Sequence, residues 1–125
     1  MSTAVSPDGA RSAVEKLRDI CADLRSCAIV GADGEVLAMS SENGWGAPVE
    51  QLWRAADEAG GGEVLQVHVA TGGGELFAAR SHEGGATAVA TTNRFALASL
   101  MFCDLRAVLR DLELVAGPAP EGGDR

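Results

Sequence analysis

The chain has 125 residues, a length that suits one domain and is long enough to bury a core. It is 46% hydrophobic, which argues against wholesale disorder, and its net charge of −8 disfavours nucleic acid or an anionic membrane surface as a partner. No run approaches the ~20 apolar residues of a membrane span, so no membrane insertion is expected.

The first residues carry no basic segment followed by an apolar one, so no signal peptide is expected. Cys21, Cys27 and Cys103 form no metal or redox spacing, and an odd count without export signals fits reduced thiols in the cytoplasm. Lys16 stands beside nine arginines, and Ala and Gly are abundant, a bias of high-GC bacterial genomes such as those of actinobacteria. With few aromatics, the core has to be built of Ala, Val and Leu.

The expected domain spans residues 8–116, with flexible termini at 1–7 and 117–125. A first helix is expected from about Asp8 to Arg25, where Val14, Leu17, Cys21 and Leu24 recur at helical spacing. Ser12 and Glu15 fit a capping box, while Pro7 points to an earlier start. The stretch Cys27–Met39 then reads as two strands joined at Asp33-Gly34, the strongest short-range hairpin signal. A two-residue turn there sets Ala28 opposite Met39, Ile29 opposite Ala38, Val30 opposite Leu37 and Gly31 opposite Val36. Both faces of this ribbon are apolar, which calls for a sheet covered on both sides, with helices as covers.

After a loop from Ser40 to Ala47, a second helix opens at Pro48, carries the stripe Val49, Leu52, Trp53 and Ala56, and stops at Gly60-Gly61-Gly62. Asp57 and Glu58 near its C-terminus oppose the macrodipole and read as solvated acids. Three strands follow: Glu63–Ala70, Glu75–Ser81 and Ala86–Thr92. The last shows Thr87, Val89 and Thr91 on one face and small alanines on the other, leaving room for a close neighbour. A final helix is expected from Thr92 or Asn93 to Ala116, with Phe95, Ala98, Phe102, Leu105, Leu109 and Leu112 in 3-4 spacing and Gly117-Pro118 ending it.

No residue pattern points to catalysis, metal binding or a cofactor. Neither Gly60–Gly62 nor Gly72–Gly74 is closed by the Lys-Ser/Thr that a phosphate loop needs, so both read as turn or cap glycines. His68 and His82 have no aligned Cys or carboxylate cluster; His68 reads as a structural or interface residue and His82 as a turn residue. Each cysteine falls in a run expected to be buried, where a thiol acts as a small hydrophobe rather than a nucleophile. Trp53 fits either the core stripe of its helix or a protein-contact anchor, and Trp45 lies in a Gly-rich loop. The strand at 63–70 has no Pro and is apolar on both faces, so it reads either as an edge open to another chain or as a central strand.

The succession helix, Asp-Gly hairpin, helix, three strands, long helix resembles the Roadblock/LC7 domain, and CAIVGADGEVLAMS (residues 27–40) is similar to that family's first hairpin. The resemblance spans roughly residues 8–115. It implies an α+β fold of order α-β-β-α-β-β-β-α, a five-stranded antiparallel profilin-like sheet with the first and third helices on one face and the second on the other. It also implies a homodimer through the third strand and second helix, here with Val49, Leu52, Trp53, Ala56, Leu65, Val67 and Val69 at the interface. By the same resemblance the chain is a non-enzymatic adaptor of bacterial signalling that binds or regulates a small Ras-like GTPase, with a sensor-kinase-like protein as a further partner. Arg54, Arg80 and Arg94 are arginines it could supply to a GTPase. A ligand-sensing domain of the profilin-like, PAS or GAF kind is the alternative, although the strand faces offer few polar anchors.

Overall fold

The structure, a computed structural model, describes residues 6–21, 24–31, 35–40, 46–81, 85–93 and 96–116, with side chains at 46–48 and 113–116 excepted. Its elements are α1 (Pro7–Ile20), β1 (Leu24–Gly31), β2 (Val36–Met39), α2 (Gly46–Gly60), β3 (Gln66–Thr71), β4 (Gly74–Arg80), β5 (Ala86–Thr92) and α3 (Ala98–Ala116). The order α-β-β-α-β-β-β-α is the expected one. The strands form one five-stranded antiparallel sheet of order β2-β1-β5-β4-β3, with β2 and β3 at its edges.

Helices cover both faces, as the two-sided apolar strands demand. On one face α1 (Ala10, Val14, Leu17) and α3 (Met101, Leu105, Val108, Leu109) pack on Cys27, Ile29, Phe77 and the alanines 79, 86, 88 and 90. Those small side chains let two helices lie side by side on the same strands. On the other face α2 lays Val49 and Trp53 on Ala28, Val30, Ala78 and Val89.

Several boundaries differ from the periodicity. The first helix ends at Ile20, not Arg25, because Leu24 enters β1 and pairs with Thr92 of β5. Leu24 keeps the helical spacing, but pairing of the central strand with its neighbour overrides that local signal. The same helix is capped by Ser6, whose Oγ accepts from the Gly9 amide at 2.9 Å, with Pro7 following; the box at Ser12 is not used. The second helix opens at Gly46, ahead of Pro48, which is tolerated in a first turn whose amides are unpaired anyway. β5 keeps Thr92 in the sheet, so α3 begins only at Ala98.

In the hairpin, Ala28 pairs with Met39 and Ile29 with Ala38 as expected, but Val30 pairs with Val36 rather than Leu37. A bulge between Ile29 and Val30 shifts the register, and the Gly31 amide bonds the Glu35 carbonyl at 2.7 Å. The turn residues Asp33 and Gly34 lie outside the described residues, as do Trp45, His82, Arg94 and Phe95.

Candidate functional site

The strand read as 63–70 is shorter in the fold, Gln66–Thr71, and it is an edge rather than a central strand. It pairs with β4 alone, from Gln66 opposite Ala79 to Thr71 opposite Gly74. Its residues are exposed except Val67, which is half-buried against the α2-side core. Six consecutive residues thus present an outer row of backbone groups, the geometry onto which another strand adds.

The seven residues singled out for an interface are distributed unevenly around this edge. Val49 and Trp53 are buried, at 3% and 7% exposure, inside the chain's own core. Leu52, Ala56, Leu65 and Val67 are half-buried, and Val69 is 39% exposed beside the edge. Between them, Trp53 takes the core position that its helical stripe allowed. Its Nε1–H donates to the Thr87 Oγ1 at 2.9 Å, so the polar end of the indole is satisfied within the fold.

A side-chain cluster that the sequence did not expose joins these elements. The Arg80 guanidinium lies 4.2 Å from the Trp53 ring centroid, a cation–π contact. Its Nη2 donates to Asp57 Oδ1 at 2.5 Å and its Nε to the Val64 carbonyl at 2.7 Å. Asp57 Oδ1 also accepts the Val64 amide at 2.9 Å. Asp57, expected as a solvated acid at the end of α2, keeps 40% of its side chain exposed but is ion-paired to an arginine whose side chain is only 12% exposed. The one available hint was energetic: an acid facing the negative end of a helix dipole needs a compensating cation.

Other candidates resolve into structural roles. Gly61 (φ +72°) caps α2, its amide bonding the Asp57 carbonyl at 3.0 Å. His68 stacks on Phe77 at 4.3 Å between ring centroids, and its Nε2 lies 2.8 Å from Glu75 Oε1. Cys21 and Cys27 are buried, and burial pushes the Cys27 thiol pKa up, the opposite of what a nucleophile needs. Cys103, expected to be buried, is exposed, because it falls off the α3 stripe that meets the sheet. Among the described residues no group of three or more His, Cys, Asp or Glu side chains could hold a metal ion, and no described helix is long and apolar enough to cross a membrane. A recess of about 300 Å3 between α1 and α3 has an apolar floor of Ala13, Val108 and Leu112. Among its polar lining of Ser6, Asp8, Ser12, Lys16 and Asp111, the last two are already joined at 2.7 Å. A second, about 180 Å3, lies at the β3–β4 turn beside Arg25.

Neither protein-family models nor curated proteins match this chain. Solved structures do. A Roadblock/LC7 domain from Streptomyces avermitilis superposes with a TM-score of 0.73 at 18% identity, covering 84% of this chain and 95% of that one. The gliding protein MglB from Thermus thermophilus gives 0.72 at 14% identity over 93% of this chain and 97% of that one.

The fold is that of the Roadblock/LC7 domain.

LokiProfilin1, in its complex with rabbit actin, also superposes, with a TM-score of 0.65 at 14% identity over 86% of this chain and 96% of that one. In Roadblock/LC7 terms, α2 and β3 are the second helix and third strand; the Arg80–Asp57 pair ties α2 to β4, and Arg80 reaches the approach to β3 through the Val64 carbonyl.

Proposed function

We propose that this chain is a homodimeric, non-enzymatic Roadblock/LC7-type adaptor of the bacterial cytoplasm that binds or regulates a small Ras-like GTPase, alongside a sensor-kinase-like partner. The observation that carries the reading is the open edge at β3. Two copies pairing there satisfy each other's outer amides and carbonyls and extend the sheet across both subunits. Val67, Leu65 and Val69 then lie at the seam, with Leu52 and Ala56 of α2 beside it. Assembly with other chains is also seen in two structural neighbours, an MglB with a tetrameric arrangement and a profilin in complex with actin. The GTPase itself comes from the family resemblance. Among the three arginines considered for it, Arg80 is committed to Asp57, whereas Arg54 is exposed on α2. The sensing alternative has less support. Ligand pockets usually occupy at least about 300 Å3 with convergent polar groups, and the α1–α3 recess, about that size, has its lysine already paired with Asp111.

Light scattering on the wild-type chain at tens of micromolar is expected to give a dimer, a concentration range that captures affinities near about 1 μM. Leu65→Asp and Val67→Lys, which place a charge at the seam, are expected to shift it toward monomer. A monomeric wild type sinks the reading. Pull-down of GTP- and GDP-loaded small GTPases from the same genome tests the partner.

A further inference from the structure

Val64 and Leu65 form the short approach to β3, held by side chains at Val64 and by one backbone bond at Leu65. Both backbone groups of Val64 are occupied by the same two residues: Asp57 Oδ1 accepts its amide, and Arg80 Nε donates to its carbonyl. Arg80 closes the ring by donating to Asp57, and its own backbone amide bonds the Leu65 carbonyl at 3.0 Å. The guanidinium plane rests on Trp53, which is itself tied to Thr87 of β5. One side chain therefore connects the C-terminal turn of α2, the start of β3, and the middle of the sheet. The geometry points to Arg80 as the positioning residue of the β3 seam, fixing the height and register at which β3 and α2 are offered to a second copy of this chain.

This inference rests on the homodimer reading above. Arginine suits the role because its fork makes directional bonds to a carbonyl and a carboxylate at once while its flat face stacks on an indole. Lysine, a point charge without the fork, cannot hold all three. Arg80 is largely covered within the chain, so its effect on pairing is transmitted through Val64 and Leu65.

The test uses the full chain in four forms: wild type, Arg80→Met, Asp57→Asn and Leu109→Ala. Methionine keeps an apolar stem over Trp53 and loses the donors; asparagine keeps an acceptor for the Val64 amide and loses the charge. Leu109→Ala opens a cavity under α3, on the opposite face, and serves as the matched loss of global stability. Sedimentation equilibrium is expected to show a dimer dissociation constant raised about tenfold or more in Arg80→Met, less in Asp57→Asn, and within a factor of about three in Leu109→Ala. Hydrogen exchange is expected to show protection lost at the Val64–Val67 amides in Arg80→Met and kept in Leu109→Ala. A dimeric wild type with Arg80→Met unshifted, or with Leu109→Ala shifted equally, overturns the assignment of Arg80 alone. A monomeric wild type overturns the homodimer reading and the seam with it.

Discussion

Trp53 shows how one residue serves the core and a polar network together. Its ring fills the space between α2 and the sheet, its Nε1–H reaches Thr87, and its outer face carries the Arg80 guanidinium. Phenylalanine keeps most of the apolar volume but loses the donor, leaving a buried hydroxyl acceptor less well satisfied. Trp53→Phe is expected to cost about 1–2 kcal/mol in denaturant unfolding. Cys27 makes a prediction with a sign. Burial raises its pKa, against smaller opposing effects from Ser40 and Arg18, so the folded chain holds the proton more tightly than the unfolded one. The resulting stability is fully present below the unfolded thiol pKa of about 8.5 and is lost progressively as pH rises toward the raised folded value. Unfolding midpoints followed from pH 7 to pH 10 are expected to fall in wild type more steeply than in Cys27→Ala. That the thiol is buried was legible from its apolar surroundings in the chain. The exposure of Cys103 was missed, because the run of apolar letters around it reads as buried although it sits off the 3-4 stripe of its helix.

Elements end where tertiary partners decide. The β3–β4 turn closes on Gly74, whose φ is +153° and whose added Cβ would stand 2.6 Å from the Thr92 carbonyl oxygen of β5. Gly74→Ala therefore forces backbone apart and is expected to cost about 2 kcal/mol or more, whereas Gly72→Ala, with open space around its Cβ, changes stability little. Thermal unfolding of the pair separates the two. The run of glycines at 72–74 was recognisable as a turn, but which glycine is indispensable depends on a strand 18 residues further along, as the Glu75–Thr92 pairing fixes β5 beside it. The same logic explains the end of α1. Helical spacing continues through Leu24, yet β1 needs that residue to pair with Thr92.

The whole molecule is a sheet between two unequal helical layers. Ala86, Ala88 and Ala90 make one face shallow enough for both α1 and α3, while Val89 and Thr87 on the other meet a single helix carrying a tryptophan. Enlarging the shallow face should push the paired helices off. Ala88→Leu, at a fully buried position, is expected to cost about 1–3 kcal/mol or more in calorimetric unfolding, with near-ultraviolet circular dichroism reporting loosened packing. The layer arrangement also leaves β3 at an edge, which turns the dimer into a prediction of the architecture as well as of the family resemblance.

The element order, the covering of both sheet faces and the small-residue face of the last strand were determined by the sequence alone, because hydrophobic periodicity reports which sides of an element are buried. Strand order, the edge position of β3, the bulge in the hairpin and the Asp57–Arg80–Trp53 ring were decided only by the tertiary structure. Periodicity does not say which neighbour does the burying: Asp57 and Arg80 are 23 residues apart, and Trp53 and Thr87 are 34 apart. Contacts of that separation exist only once the sheet has brought α2, β4 and β5 together.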